Sequence, residues 1–480
     1  MTMPQHALSF LVLLLLVYPL LCEADTRPLI NLGSANLRGR KVSDDVEIYG
    51  GELRLRPPVL KTSLPDGEHD ARTSGPACLQ SPAHINGTSE DCLTLDVYRP
   101  SGLFEPVPVM LWIYGGGFYI GGALQYNATL LVEQSIARGT PVVVVAVNYR
   151  LGPLGFPQGK EAEEDGVLNL GLLDVKVALE WVQANIGTFG GDRNKGATVN
   201  EAAWQSFVKG IPECASTAGS GASLACLRSL NDSNSLLANI NPFDDAYGEQ
   251  LYPFAPVIDG PGGVVPDMPS TLYAKGEFAK IPTISGNVLD EGTFFIPELN
   301  ASFTTDYISD YLCANFTLPP DDPADVRSAL DEFIAMYPDD PSEGCPYNSG
   351  NDTFGLDPGY KRLTSIIGDA YFHALRRKWG QIASASVTHS SNVLYQFGTE
   401  TAASPEDAAL ATSIMDYWMS FATSLDPNDG LGSQRPIWPA YSVENEVLLQ
   451  LKADNITTIL DVFRTEQIAF VMDNPAVFHH

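Results

Sequence analysis

The chain has 480 residues, of which 44% are hydrophobic, so it is long enough to bury one large core or two ordinary ones. It carries 28 basic and 58 acidic residues, a net charge of -30, and no block of basic residues stands out. Phosphate backbones and anionic membranes would repel such a chain. We therefore expect no nucleic-acid partner.

The N-terminus has the composition of a secretory signal peptide over residues 1–24. Ala7 to Leu21 is almost wholly apolar and is shorter than the roughly 20 residues that a membrane span needs. Cys22 and Ala24 are small residues that suit the -3 and -1 positions of a cleavage site. The only basic group before the apolar run is His6, and the sequence Leu-Leu-Cys also leaves open a lipoprotein signal. We expect an extracellular chain of residues 25–480, without a transmembrane segment.

Cleavage after Ala24 would leave six of the seven cysteines. An even number in an exported chain indicates disulfides, and none of the spacings matches a zinc knuckle. Local pairing predicts three bonds, which is one of several connectivities that six cysteines allow: Cys78–Cys92, Cys214–Cys226 and Cys313–Cys345. Seven N-x-S/T sequons also fit a secreted glycoprotein. They begin at Asn86, Asn127, Asn231, Asn300, Asn315, Asn351 and Asn455.

In chain order, the first predicted elements are short strands over Leu29 to Gly51 at the edge of a sheet. Cys92 to Tyr98 alternates apolar and polar residues as a half-buried strand does. Val107 to Ile113 is predicted to be a buried strand, and three glycines, Gly115 to Gly117, follow it directly. Thr140 to Asn148 is a valine run typical of a parallel strand covered on both faces.

Helical periodicity begins at Asn169 and continues to Asn185, and further helices are predicted at Pro323–Met336, Tyr360–Ala383 and Ser404–Thr423. The last of these opens with the capping sequence Ser-Pro-Glu. Strands are predicted at Ile281–Gly292, which runs into a loop with two carboxylates, and at Asn392–Phe397. Alternating strands and helices indicate an α/β fold with a central, mostly parallel sheet flanked by helices.

Ligands of such sheets bind at the carboxyl ends of the strands, which is where Gly115 to Gly117 lie. Glycine lets backbone N–H groups approach a ligand without a side chain in the way, so this loop could cradle an oxyanion. A simple tight turn after a strand is the alternative.

Several motifs in order over nearly the whole mature chain resemble those of the type-B carboxylesterases, the α/β-hydrolases that include secreted fungal lipases. The motifs are SEDCLTLDVYRP (89–100), LWIYGGGFYIGG (111–122), NYRLGPLGF (148–156), NLGLLDVKVALEWVQANI (169–186), FGGDRNK (189–195), GNVLDEGTFF (286–295) and WPAY (438–441). The resemblance implies the α/β-hydrolase fold, carboxylic ester hydrolysis by a Ser-Glu-His triad, and no metal or organic cofactor. The substrate would be a small-molecule or lipid ester.

Three candidate site residues follow from the resemblance. Gly116 and Gly117 match the family's first two oxyanion donors, and Glu291 in the sequence Asp-Glu-Gly matches the triad acid. Without the motif, Glu291 could equally be a solvated loop carboxylate.

The nucleophile is not found. In the family, a strand and a G-E-S-A-G elbow follow the FGGD motif, but no G-x-S-x-G occurs anywhere in this chain. Glu201, Ala202 and Ala203 echo the elbow only superficially. Ser220 has flanking glycines but lies between two cysteines with no strand before it, so we expect it in a surface loop.

The general base is not found either. The family places its histidine in a G-x-x-H segment after the strand that corresponds to Val393–Gln396, whereas here Gln396 is followed directly by Phe397 and Gly398. His373 lies inside a predicted helix and His389 precedes the strand, so both are expected to be structural or solvated.

Segments of the family pattern are therefore missing near 51/52, 195–200 and 396/397. We expect an incomplete set of central strands and no serine-dependent esterase activity. The alternatives are a non-catalytic binding or adhesion module of the same fold, and an incomplete gene model or splice product. Acyl-chain preference and oligomeric state do not follow from the sequence.

Overall fold

The computed structural model describes residues 29–32, 35–38, 42–45, 54–60, 67–71, 73–81, 85–103, 106–189, 211–217, 222–230, 236, 254, 256, 258–260, 263–278, 282–296, 301–316, 323–383, 393–398, 404–442 and 444–478. The signal region, the 51/52 and 195–200 breaks, Ser220 and His389 lie outside these residues.

Within the described residues, nine strands form three sheets. Their bounds are β1 Leu29–Leu32, β2 Ala35–Arg38, β3 Val42–Asp45, β4 Gly67–Asp70, β5 Thr94–Tyr98, β6 Val109–Ile113, β7 Val143–Val147, β8 Val447–Gln450 and β9 Thr457–Leu460. The strand orders are β1-β2-β4, β3-β5-β7-β6 and β8-β9. Short strands were expected before Gly51, and one of them, β3, does lie at the edge of the four-stranded sheet.

The helices lie between and after the strands. Their bounds are α1 Thr129–Ala137, α2 Gly152–Gly155, α3 Gly159–Glu164, α4 Leu170–Phe189, α5 Ser223–Arg228, α6 Pro269–Lys275, α7 Thr305–Phe316, α8 Pro323–Ala335, α9 Gly359–Gly368, α10 Ala374–Ala383, α11 Val393–Gln396, α12 Pro405–Ser424, α13 Thr465–Asp473 and α14 Pro475–Phe478. A π-turn, Asp369–His373, joins α9 to α10, and short 3-10 helices occur at Ala123–Gln125, Ala215–Thr217, Glu291–Phe294 and Pro341–Glu343.

The valine run forms β7, which is buried on both faces as predicted. Val143, Val145 and Val147 pack with α4 side chains such as Trp181. Val144, on the other face, packs with residues of α1 and α12. Because successive strand residues point to opposite faces, an uninterrupted apolar run needs helices on both sides, and the structure supplies them.

The four-stranded sheet is less parallel than predicted. β6 and β7, joined through α1, pair in parallel, but β5 pairs antiparallel with both β7 and β3. β5 is also buried along its whole length rather than half-buried, because Asp96 on its polar face lies inside and accepts a hydrogen bond from Ser74.

Two predicted strands are not strands. Residues 282–288 have no regular secondary structure and pair with no described strand, and Val393–Gln396 forms α11 instead of a strand. Both segments were expected to join the sheet, where a strand is stable only if a neighbour completes its backbone hydrogen bonds. None of the described strands pairs with either segment.

Two of the three predicted disulfides are confirmed, Cys78–Cys92 and Cys214–Cys226. The prediction of a Cys313–Cys345 bond is wrong, since both thiols are free. Cys313 lies on α7, whereas the buried Cys345 lies in a loop with its Sγ 3.4 Å from Asp290 Oδ1. The two side chains therefore face different partners.

Of the sequons, Asn86, Asn127, Asn351 and Asn455 are exposed. Asn315 is half-buried and donates a hydrogen bond from Nδ2 to the Tyr311 carbonyl, 2.8 Å away. Asn231 and Asn300 lie outside the described residues. Glycosylation at the exposed four stays a prediction. Within the described part of the chain, no helix is both long and apolar enough to cross a membrane.

Candidate active site

The glycine loop after β6 has a backbone that only glycine adopts easily. Gly116 and Gly117 have φ values of +135° and +58°. The Gly116 carbonyl accepts hydrogen bonds from the amides of Tyr119 (3.0 Å) and Ile120 (3.1 Å). A Cβ on Gly116 would lie 2.0 Å from the Ile120 carbonyl oxygen, so the close turn excludes any side chain there.

The far end of the loop is clamped by Gln80, which is fully buried. Its Nε2 donates to the Gly121 carbonyl (2.7 Å), and its Oε1 accepts from the Gly121 amide (2.9 Å). The Phe118 carbonyl accepts a hydrogen bond from the Gly152 amide, 2.7 Å away. Both ends of the loop are thus fixed to neighbouring segments. Sequence reasoning missed Gln80, which belongs to no motif that we used.

A pair of buried tyrosines supports the start of the loop. Tyr114 and Tyr149 stack with ring centroids 4.7 Å apart, and each hydroxyl donates to the other residue's carbonyl, at 3.1 and 3.0 Å. Burial raises the pKa of both phenols above their ordinary value. Both rings therefore stay neutral donors and hold the loop against the segment after β7.

The amides expected to serve as oxyanion donors are accessible. Gly117 is exposed and Gly116 is partly exposed. Among the described residues, none accepts a hydrogen bond from either amide. Exposed amides without a protein acceptor can bond to water or to a ligand, so the geometry is compatible with anion binding. Their role as oxyanion donors stays a prediction.

Glu291 begins a 3-10 helix and is buried, with 2% of its surface exposed. Its Oε1 accepts hydrogen bonds from the Val288 amide (2.8 Å) and from Asn287 Nδ2 (3.2 Å). This is not the solvated loop carboxylate that the sequence left open. A buried, hydrogen-bonded carboxylate is what a triad acid requires.

Glycines let the Glu291 turn lie directly on α9. A Cβ on Gly292 would be 1.9 Å from the Thr364 carbonyl oxygen. A Cβ on Gly368 would be 3.9 Å from Glu291 Cβ and 3.8 Å from His373 Cδ2. The acid and this histidine therefore both lie next to Gly368.

His373 is nevertheless unsuited to act as a general base. It is 3% exposed and lies edge-on to Phe463, with ring centroids 5.4 Å apart. Burial, followed by the charges of Arg464 and Arg376, lowers the pKa of His373 to about 3. A base this weak takes up almost no proton near neutral pH, where a general base should have a matched pKa. The prediction that His373 is structural agrees with this environment.

The 396/397 junction contacts the strand that carries the loop. Phe397 packs edge-on against Trp112 of β6, with centroids 4.9 Å apart, and its ring centroid is 5.7 Å from that of Tyr126. The junction thus lies beside β6. Within the described residues, no cluster of three or more acidic, histidine or cysteine side chains is arranged to hold a metal ion.

Comparison with known proteins matches the regions of the chain in which these motifs lie. The model of the carboxylesterase family matches residues 50–203, 197–317 and 368–471. Lipase 1 of Geotrichum candidum is 31% identical over 455 aligned positions, covering 79% of this chain and 77% of the lipase. The secreted triacylglycerol lipase LIP1 of Gibberella zeae is 30% identical, with 88% of this chain and 85% of that protein covered.

The fold has a counterpart among solved structures. EstA of Aspergillus niger superposes with a TM-score of 0.78 at 24% identity, over 95% of this chain and 99% of that chain. Three segments of the family model and a relative at 31% identity together cover most of the sequence. The chain therefore belongs to the carboxylesterase family and has the α/β-hydrolase fold.

Proposed function

We propose that this chain descends from secreted ester hydrolases of the fungal-lipase type. We also propose that a protein with this sequence does not hydrolyse esters. The observation that carries the proposal is that only part of the family's catalytic site is present. The glycine loop and the buried Glu291 are present, whereas the sequence contains no G-x-S-x-G and no histidine segment before Phe397.

The alignment with Lipase 1 supports missing segments. Its 455 aligned positions include 79% of this chain's 480 residues, about 379, so about 76 positions lie opposite gaps in this chain. The family model also matches in separate segments that meet at residues 197–203, beside the expected nucleophile elbow. About 76 positions are enough to contain the elbow strand, the helix that follows it and the histidine segment.

The chemistry explains why the remaining groups are not enough. An oxyanion hole stabilises charge that appears only after a nucleophile has attacked the acyl carbon. Glu291 would orient and stabilise an imidazolium, and His373, the histidine described near it, has a pKa too low for that role. In serine hydrolases that lose their triad, binding and the oxyanion hole retain only about 10³–10⁴-fold acceleration over water. We therefore expect at most this residual acceleration, with no serine-dependent turnover.

Export is proposed on separate grounds. Relatives from Gibberella zeae and Botryotinia fuckeliana are named secreted lipases. Two disulfides fit an oxidising compartment, and residues 1–24 have a signal-peptide composition. Mass spectrometry of the medium from a secreting host would test this by showing a mature N-terminus at Asp25.

Activity is tested with the purified full-length mature chain and p-nitrophenyl butyrate. We expect no turnover that a serine-directed phosphonate inhibits, and no difference between the native chain and Glu291→Gln. Phosphonate-sensitive turnover with a covalent serine adduct would overturn the proposal. A cooperatively melting chain with a defined partner and no hydrolysis would favour the binding-module alternative.

Genomic DNA separates an inactive protein from an incomplete gene model. The informative regions surround the codons for Lys195 and Gln396. Uninterrupted coding sequence at both junctions would support the proposal. In-frame segments encoding G-E-S-A-G and G-x-x-H there would instead assign an ordinary esterase to the gene.

A further inference from the structure

The sequence contains a single Asn-Gly pair, Asn86–Gly87, and it lies in the loop that the Cys78–Cys92 disulfide closes. An asparagine side chain can react with the backbone nitrogen of the residue that follows it. Glycine has no Cβ, so it obstructs the approach of these two groups less than any other residue does. This pair is therefore the place in the chain where the local sequence most favours that reaction.

The structure presents the pair at an exposed tip. Asn86 and Gly87 are both exposed. Gly87 has a φ of +75°, and a Cβ built on it would meet no heavy atom within 4 Å beyond its chain neighbours. In the part of the chain that the structure describes, no residue bonds to the Asn86 carboxamide or accepts a hydrogen bond from the Gly87 amide. Neither reacting group is held away from the other by these residues.

Both flanks of the tip are fixed to the rest of the fold. Ile85 is buried, with 7% of its surface exposed. On the other side, the Ser89 amide donates a hydrogen bond to the Ala77 carbonyl at 3.0 Å. The pair therefore stays at the surface of the folded protein, and its side chain and backbone can react without unfolding.

A second carboxyl-type side chain before a glycine is held in place. Gly430 follows Asp429 and has a φ of +77°. The Asp429 carboxylate accepts hydrogen bonds from Arg138 Nη2 at 2.8 and 2.6 Å and from the Leu431 amide at 3.0 Å. These bonds fix the side chain, and a carboxylate is a weaker electrophile than a carboxamide. Exposure and freedom of the side chain therefore distinguish Asn86–Gly87.

We propose that Asn86–Gly87 is a site of spontaneous covalent modification in the folded protein, at which Asn86 becomes aspartate or isoaspartate. The Gly87 amide loses its proton to hydroxide, and its nitrogen attacks Cγ of Asn86. The Cγ–Nδ2 bond then breaks, and Nδ2 leaves as ammonia with a proton from water. Water opens the resulting cyclic imide at either of its two carbonyls. One water is consumed overall and one ammonia is released.

The leaving nitrogen is also the acceptor of the sequon formed by Asn86, Gly87 and Thr88. A glycan on Nδ2 replaces a hydrogen of the leaving group and covers the exposed tip, so ammonia cannot leave. The two modifications therefore exclude each other. Chains with the glycan keep Asn86, and chains without it gain a negative charge in the first disulfide loop.

The experiment uses the mature chain from a bacterial periplasm, where disulfides form and this type of glycan is not attached. The folded protein is incubated at mildly alkaline pH and sampled over time for peptide mapping by mass spectrometry. The Asn86 peptide should gain about 1 Da, because O–H replaces NH₂. It should react at least about tenfold faster than the peptide of Asn127, which is also exposed but precedes an alanine.

Gly87→Ala is the matched variant, since its methyl group enters open space and hinders the attacking nitrogen. It should slow the gain in mass at least about tenfold. Labelling with an isoaspartyl methyltransferase should mark position 86 in the native chain and leave position 429 unlabelled. A rate at Asn86 no faster than at Asn127, or an equal rate in Gly87→Ala, would overturn the proposal.

A glycosylating host tests the protection by the sugar. The native chain should keep Asn86 unmodified there, whereas Thr88→Ala, which removes the sequon and keeps the Asn-Gly pair, should be modified as in the bacterial protein. Equal modification of the two chains would contradict the protective role. Neither result depends on the proposed loss of hydrolysis.

Discussion

The carboxamide of Gln80 bonds to both backbone groups of Gly121, and this closes the glycine loop against the segment of the first disulfide. Gly121 is buried, so water cannot replace these bonds. Gln80 therefore anchors the loop that carries the accessible amides of Gly116 and Gly117, although these glycines lie four to five residues before Gly121. Three changes in and around this loop test how it is built.

Gln80→Leu should destabilise the fold because it leaves two buried backbone groups of Gly121 without partners. Each such group costs about 1–3 kcal/mol, so the free energy of unfolding should fall by roughly 2–6 kcal/mol. Urea unfolding followed by tryptophan fluorescence measures it. Gln125→Leu, at an exposed position a few residues away, is the control and should change the free energy by less than about 0.5 kcal/mol. Equal effects would mean that the clamp is not important.

The neighbouring glycines should tolerate alanine very differently. At Gly116, a Cβ would lie 2.0 Å from the Ile120 carbonyl oxygen and φ is +135°. At Gly115, a Cβ has no heavy atom within 4 Å beyond its chain neighbours. We expect Gly116→Ala to cost at least about 2 kcal/mol and Gly115→Ala less than about 1 kcal/mol.

Thermal unfolding of the two glycine variants under identical conditions makes that comparison. The pair is informative because the chemical change is the same in both. If Gly115→Ala proved equally destabilising, the loop would need flexibility at that position rather than a close backbone approach at Gly116.

The free thiols can be counted directly. Alkylation of the mature chain under denaturing, non-reducing conditions should label Cys313 and Cys345 and leave the other four cysteines unlabelled. In the folded protein Cys345 should react very slowly, since it is buried and burial, with the nearby Asp290 carboxylate, raises the pKa of its thiol. Peptide mapping by mass spectrometry gives the count. A Cys313–Cys345 peptide would contradict the structure.

The sequence predicted those elements whose cause lies within a few residues. β7 follows from an uninterrupted valine run. α12 follows from its cap, where Ser404 Oγ accepts a hydrogen bond from the Asp407 amide and Pro405 takes the first helical position. The two confirmed disulfides join cysteines 14 and 12 residues apart. Local chemistry decides each of these.

The failures depend on distant partners. Pro282–Val288 has strand-like composition, but whether it forms a strand depends on a neighbour that no described strand provides. β6 was expected to be buried, but it is half-buried and its Ile113 is 44% exposed. The origin is the same, because an apolar strand is buried only if something covers it. The role of Gln80 depends on a contact 41 residues away. Burial of Glu291 was expected from the family motif alone, since nothing local distinguished it from Asp290.

The buried His373 should make the fold sensitive to mild acid. Its pKa is about 3 in the folded chain and about 6.5 when unfolded. Below about pH 6.5 the unfolded chain therefore binds a proton that the folded chain does not. His373 therefore has no effect of this kind on the free energy of unfolding above about pH 6.5. As the pH falls from about 6.5 toward 3, the free energy of unfolding decreases by about 1.4 kcal/mol per pH unit.

His373→Phe keeps an aromatic ring edge-on to Phe463 and removes the titrating group. Urea unfolding at several values between about pH 4 and pH 8 should show similar stability for both proteins at the upper end, and a slope shallower by roughly 1.4 kcal/mol per pH unit for the variant at the lower end. Carboxylates that titrate in the same range act on both proteins equally, so the difference isolates His373. Parallel plots of unfolding free energy against pH would show that the histidine is not held neutral inside the fold. His373 would then again be a candidate general base beside Glu291.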